Sequence, residues 1–179
     1  MTSAVLQNGF VLSLASPPGV AVDPVRMENG VPVYRFRKEL IRCGNFLTAD
    51  GEPFTVTRAQ LGEWVSTFRH MRLAGVPVPV PADHNQVDSD HNRGYLVGMD
   101  VDGDSLIGEI ELIGKDAPRL AASNNVSIYA EPEWTDGAGN IYRWPIRHVA
   151  LTPDPRIPGL KGFVPIAASN HRQTQVPLL

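Results

Sequence analysis

Three short stretches of the chain hold side chains able to make and break bonds. Asp83-His84-Asn85 follows a proline-rich run, Ser127 lies in Asn125-Val126-Ser127-Ile128-Tyr129, and His148 lies in Ile146-Arg147-His148-Val149-Ala150-Leu151. A serine hydroxyl is inert at its ordinary pKa; it needs a base within hydrogen-bond reach, and the base needs a third group to fix its tautomer. One serine and two histidines could fill those roles. Each also has a plainer reading: His84 as a turn residue, Ser127 as an ordinary strand serine, His148 as a strand-end histidine bonded to a backbone carbonyl. Only the combination points to acyl transfer, a chemistry that requires no cofactor and no metal.

A second chemistry competes with it. Asp83-His84 and Asp90-His91 repeat one dipeptide seven residues apart, and His148 could complete a His/Asp ligand set for a metal hydrolase. That spacing fits no helix face and lies in a loop rich in Asp and Asn, where solvated turn chemistry is the plainer account. The only cysteine, Cys43, excludes an internal disulfide and a zinc site built on cysteine pairs. It reads as a small buried hydrophobe.

The elements that must position these groups are mostly strands. Sixteen Pro and sixteen Gly are spread along the chain and cut it into short segments, as in β-rich folds with many turns. Strands are expected at 31–36, 76–80, 94–101, 105–113, 126–134, 141–144 and 146–151. Asp102-Gly103-Asp104 and Asp136-Gly137-Ala138-Gly139 mark two hairpins, and prolines place 76–81 at a sheet edge or as a lead-in to His84. One main helix stands out over 57–74. Thr57 and Gln60 form a capping box, Leu61, Trp64, Val65, Phe68 and Met71 make one apolar face, and Gly75 ends it. A short helix is expected at 116–123, with Asp116 as its cap and Pro118 in its first turn. Trp134 and Trp144 flank a hairpin where cross-strand aromatic packing is expected.

Composition narrows the partners. The 179 residues suit one domain, and 16 Lys+Arg against 19 Asp+Glu give a net charge of −3 with no basic footprint for nucleic acid. No apolar window approaches the roughly 18 residues of a membrane span, and Phe10–Ala15 is too short and wrongly flanked for a signal peptide. The chain reads as soluble and cytosolic, with neither nucleic acid nor membrane as partner.

The order His84, Ser127, His148 resembles that of the assemblin-like serine proteases of capsid assembly: the prohead proteases of tailed bacteriophages, especially the Mu-like phage I protein type, and the herpesvirus maturation proteases. His148-Val149-Ala150-Leu151 with downstream Arg156 looks like the herpesvirus H-V-A-L segment, although only one arginine is present here. Ala150-Leu151-Thr152-Pro153-Asp154-Pro155-Arg156-Ile157-Pro158-Gly159-Leu160 is similar to the A-L-T-x-x-P-x-I-x-G-L run of the phage I type. The resemblance covers roughly residues 30–165. Many phage relatives carry small residues around the nucleophile, where this chain has Ile128 and Tyr129.

The resemblance implies a β-dominated α+β fold, a compact antiparallel β-barrel flanked by the main helix. Residues 1–30 would be an N-terminal segment packed on the barrel, 31–165 the protease domain, and 166–179 a linker toward a scaffold region. It further implies Ser127 as nucleophile, His84 as general base, and His148 (an acid in many phage enzymes) as the group that orients His84. The loop 152–157 with Arg156 would serve the oxyanion. A neutral third member implies a slow enzyme. Phage scaffold and major capsid proteins are the implied partners, with homodimers or assembly inside the procapsid in the host cytoplasm. Ala168-Ser169 is the expected self-cleavage point. The non-enzymatic alternative is a capsid-assembly scaffold of the same fold without activity.

Overall fold

The computed structural model describes residues 22–84 and 88–167. Its strands and helices begin with β1 (Arg26–Glu28), β2 (Val31–Arg42), β3 (Gly44–Leu47), β4 (Pro53–Val56) and α1 (Arg58–Leu73). Next come β5 (Val78–Pro81), a short 3-10 turn at Ser89–His91, β6 (Asn92–Asp102), β7 (Ser105–Ile113) and α2 (Ala117–Ser123). The last are β8 (Asn125–Ala130), β9 (Glu133–Thr135), β10 (Ile141–Arg143), β11 (Ile146–Thr152) and β12 (Val164–Pro165). No helix among the described residues is long and apolar enough to cross a membrane.

The fold is β-dominated and its ladders are antiparallel. A six-stranded sheet runs β1-β2-β7-β6-β5, with β12 also on β2. The β6–β7 hairpin turns at Gly103, whose φ of +61° suits a glycine in a two-residue connection. Over the sheet lies α1, whose Leu61, Trp64, Val65, Phe68 and Met71 are all buried, as their helical spacing requires. Thr57 Oγ accepts the Gln60 N–H at 3.2 Å. The capping box is one-sided, because among the described residues no bond runs from the Thr57 N–H back to the Gln60 side-chain oxygen. The helix closes at Ala74 with Gly75 following at φ +76°. The short helix starts at Ala117, and Asp116 makes no side-chain cap bond.

Strand β2 extends six residues past the expected end at Phe36. Its inner half was hidden by Lys38 and Glu39, which are charged yet only 1% and 3% exposed. Lys38 Nζ donates to the Lys161 carbonyl and lies 5.6 Å from the Phe163 ring centre; burial lowers its pKa to about 8. Glu39 accepts from Ser105 Oγ at 2.6 Å and from the Lys161 N–H at 2.7 Å. Burial alone would raise its pKa, but these bonds and Arg42 hold it below the usual carboxylate range. Arg42 donates to the Gly159 carbonyl, and Phe163 meets Phe36 edge-on at 5.8 Å. Residues 158–166 are thereby strapped along the edge of β2 away from β7.

That strap explains the main departure from expectation, which is that no closed barrel forms. β8 and β11 make a separate antiparallel pair, joined to the large sheet by one parallel bridge, Ala82 to Leu151. β8 packs near β2 without a ladder between them. The edge that β8 would need is already held by β1, β12 and the strap. On the other flank, Pro79 and Pro81 of β5 have no N–H to extend the bridge to β11. The strand expected over 126–134 likewise breaks at Glu131-Pro132 into β8 and β9. Trp134 does face its cross-strand partner Tyr142, ring centres 5.7 Å apart, but Trp144 is 46% exposed with φ +49° and takes no part in that packing.

Candidate active site

Two of the three groups singled out in the sequence meet. His84 Nδ1 and His148 Nε2 are 2.7 Å apart, a hydrogen bond in which one nitrogen donates and the other accepts. The chain reaches this geometry through local irregularities on both sides. Asp83 adopts φ +59°, uncommon for a residue with a side chain, immediately after the Ala82–Leu151 bridge. Its N–H is anchored on the Leu151 carbonyl at 2.8 Å, so the turn brings His84 over β11. On β11 the register slips between Ile146 and His148, so Ile146 and Arg147 together oppose one residue of β8. Such bulges re-aim the side chain that follows.

His148 is 2% exposed. Burial, then the charges of His84 and Arg147, lowers its pKa to about 4, so the ring is neutral near pH 7. A neutral, buried His148 is suited to accept at Nε2, with its own proton on Nδ1. With the shared proton on His84 Nδ1, the lone pair of that ring is on Nε2. This is the tautomer a general base needs.

Ser127 shares their face of the sheet. In the β8–β11 ladder it lies opposite Ala150, and Tyr129 lies opposite His148. Directly paired residues of an antiparallel ladder point to one side, so Ser127 and His148 are diagonal neighbours, roughly 7–8 Å apart. Ser127 is half-buried, and among the described residues no hydrogen bond joins its Oγ to either imidazole. Ser127 and His148 are thus neighbours on one face of the ladder, and His84 is bonded to His148.

The remaining expected groups fall elsewhere. Arg156 donates from Nε to the Leu47 carbonyl at 3.2 Å and from a terminal nitrogen to the Thr48 carbonyl, so its guanidinium is spent on the β3–β4 hairpin rather than on the site. The loop it belongs to does leave from the site's edge, where Thr152 lies opposite Asn125 and accepts the Asp154 N–H at 3.1 Å. Ala168 and Ser169 lie outside the described residues. Cys43 is half-buried and packs against the core.

The metal arrangement does not assemble. His91 Nε2 lies 3.9 Å from Asp88, and no group of three His, Cys, Asp or Glu that could hold an ion occurs among the described residues. Two imidazole nitrogens on one tetrahedral zinc, each about 2.0–2.1 Å from it, stand roughly 3.3 Å apart. The 2.7 Å separation of His84 and His148 is a hydrogen-bond distance instead.

Sequence reasoning passed over Tyr129 and Arg147. Tyr129 stacks on His148 with centres 5.1 Å apart and planes at 19°. Arg147 lies flat on Trp134, 3.5 Å from its ring centre, with Glu131 at 3.7 Å. The alternation Ser127, Tyr129 carried a signal for the first, since period two puts both on one face. Nothing in the sequence marked the bulge that exposes the second to Trp134. No protein-family model matches this chain, nor does any curated protein or solved structure.

Proposed function

We propose that the chain is a serine endopeptidase of phage capsid assembly that cleaves scaffold and capsid proteins, and itself, during prohead maturation inside the procapsid. The hydrogen bond between His84 and His148, on the face that carries Ser127, is the observation that supports it most. In this reading His84 Nε2 takes the proton from Ser127 Oγ as the oxygen attacks a peptide carbonyl. The proton then passes to the leaving amine, and water hydrolyses the acyl-enzyme by the same relay. His148 touches no reacting atom; it is a positioning residue that holds the His84 tautomer and accepts from the imidazolium. A neutral partner stabilises that cation less than a carboxylate does, so turnover is slow.

One observation favours a second reading, a scaffold of the same fold without activity: Arg156 is turned to the β3–β4 hairpin and supplies nothing to an oxyanion. Incubating wild type and Ser127→Ala with a mixture of denatured bacterial proteins and mapping new N-termini separates the two. New termini confined to wild type support the protease; identical sets in both proteins overturn it in favour of the scaffold.

A further inference from the structure

His148 is a buried imidazole at the edge of a two-stranded ladder, a place where water would ordinarily reach it. Among the described residues, three groups face it from the elements packed around it. From the turn after β5 comes His84, bonded to Nε2; from β11 comes the adjacent Arg147, drawn onto Trp134 and Glu131; from β8 comes Tyr129. Asp83 lies next to His84 in the chain and is exposed. Of these, only Tyr129 covers the ring face to face, and it does so while 43% exposed itself. Its outer face is in solvent and its inner face is the wall of the His148 site.

We propose that Tyr129 is a positioning residue of the histidine pair: its ring, stacked on His148, fixes the imidazole plane that presents Nε2 to His84 and keeps water off it. This rests on the reading of Ser127, His84 and His148 as a catalytic set. The ring does this work, not the hydroxyl, so Tyr129→Phe preserves it. Removing the ring opens His148 to water on that side. Two consequences follow together: a proton is accepted more readily on His148, and the hydrogen bond to His84 is broken over a wider pH range. A residue that merely contributed to folding would alter neither titration nor pH profile.

The test is an NMR titration of the histidine side chains in wild type, Tyr129→Phe and Tyr129→Ala, run alongside the rate at which a serine-directed phosphonate labels Ser127 across pH 4–8. The expected His148 midpoint is near 4 in wild type and Tyr129→Phe, and higher by about one pH unit in Tyr129→Ala. Labelling of Ser127 is slower in Tyr129→Ala than in wild type and Tyr129→Phe. If Tyr129→Ala fails to fold, Tyr129→Leu, which keeps an apolar side chain without the flat ring, is titrated in its place with an upward shift still expected. An unchanged midpoint in the ring-less variant, or a shift in Tyr129→Phe equal to it, overturns the proposal. The NMR arm stands even if wild type takes no label, so a failure of the protease reading is seen separately.

Discussion

Nδ1 of His84 stands 2.7 Å from Nε2 of His148 across 64 residues of sequence, and of the two rings His148 is the buried one. A ring that resists protonation down to about pH 4 is neutral at pH 7, and with its own proton on Nδ1 it can accept at Nε2 from its neighbour.

The pair therefore predicts an order of mutational damage. Ser127→Ala and His84→Ala each remove peptide-bond cleavage by about four orders of magnitude or more, and the double variant is no worse than either, because members of such a unit are not additive. His148→Ala leaves measurable turnover and costs less than either of those single variants. Steady-state cleavage of one peptide substrate by wild type and the four variants checks this; a larger loss in His148→Ala than in His84→Ala reverses the roles.

Stability responds to acid through the same residue. The folded-state pKa of His148 is lowered, so the unfolded chain takes up a proton that the folded protein refuses. This contribution is fully present above about pH 6.5 and is lost as pH falls toward 4. Urea unfolding at pH 7 and pH 5 should differ by about 1–2 kcal/mol from this group, and His148→Phe should remove that part of the difference. An unchanged pH dependence in the variant contradicts the burial argument.

Much of this was legible in the sequence, and the parts that were not share a cause. The apolar period of α1 located it to within a residue at each end, and the Asp-Gly turns located both hairpins. Of the ordered set His84, Ser127, His148, the two histidines meet. What escaped was set by tertiary contacts: the inner half of β2 depends on buried Lys38 and Glu39 finding Lys161, more than 120 residues away. The open sheet depends on the strap those contacts hold, and the aim of His148 depends on a one-residue bulge. The partners of Arg156 also escaped, because proximity along the chain to β11 does not say which carbonyls its guanidinium will reach.

Glu39 is the member of the strap with most to lose. Glu39→Ala leaves the Ser105 hydroxyl and the Lys161 N–H without their acceptor and Lys38 without its neighbouring charge. A cost of about 2–4 kcal/mol is expected, read by chemical denaturation. Hydrogen exchange should rise at Ile166, whose N–H is bonded to the Arg35 carbonyl at 2.9 Å. A loss under about half a kcal/mol, within the range of ordinary surface changes, shows that the strap is held by other contacts.

Self-processing is a separate expectation. Concentrated wild-type protein should slowly lose the residues after Ala168, and Ser127→Ala should not. Intact-mass spectrometry over several days reads it; a constant wild-type mass, or equal truncation in both, excludes cleavage at Ala168-Ser169.

The central claim is that His84, held by His148, activates Ser127. It is tested most directly by mass spectrometry of the protein after reaction with a serine-directed phosphonate, with the adduct located by peptide mapping. The account predicts one adduct, on Ser127, in wild type, and none in His84→Ala under the same conditions. No adduct on Ser127 in wild type, or an equal yield without His84, contradicts it.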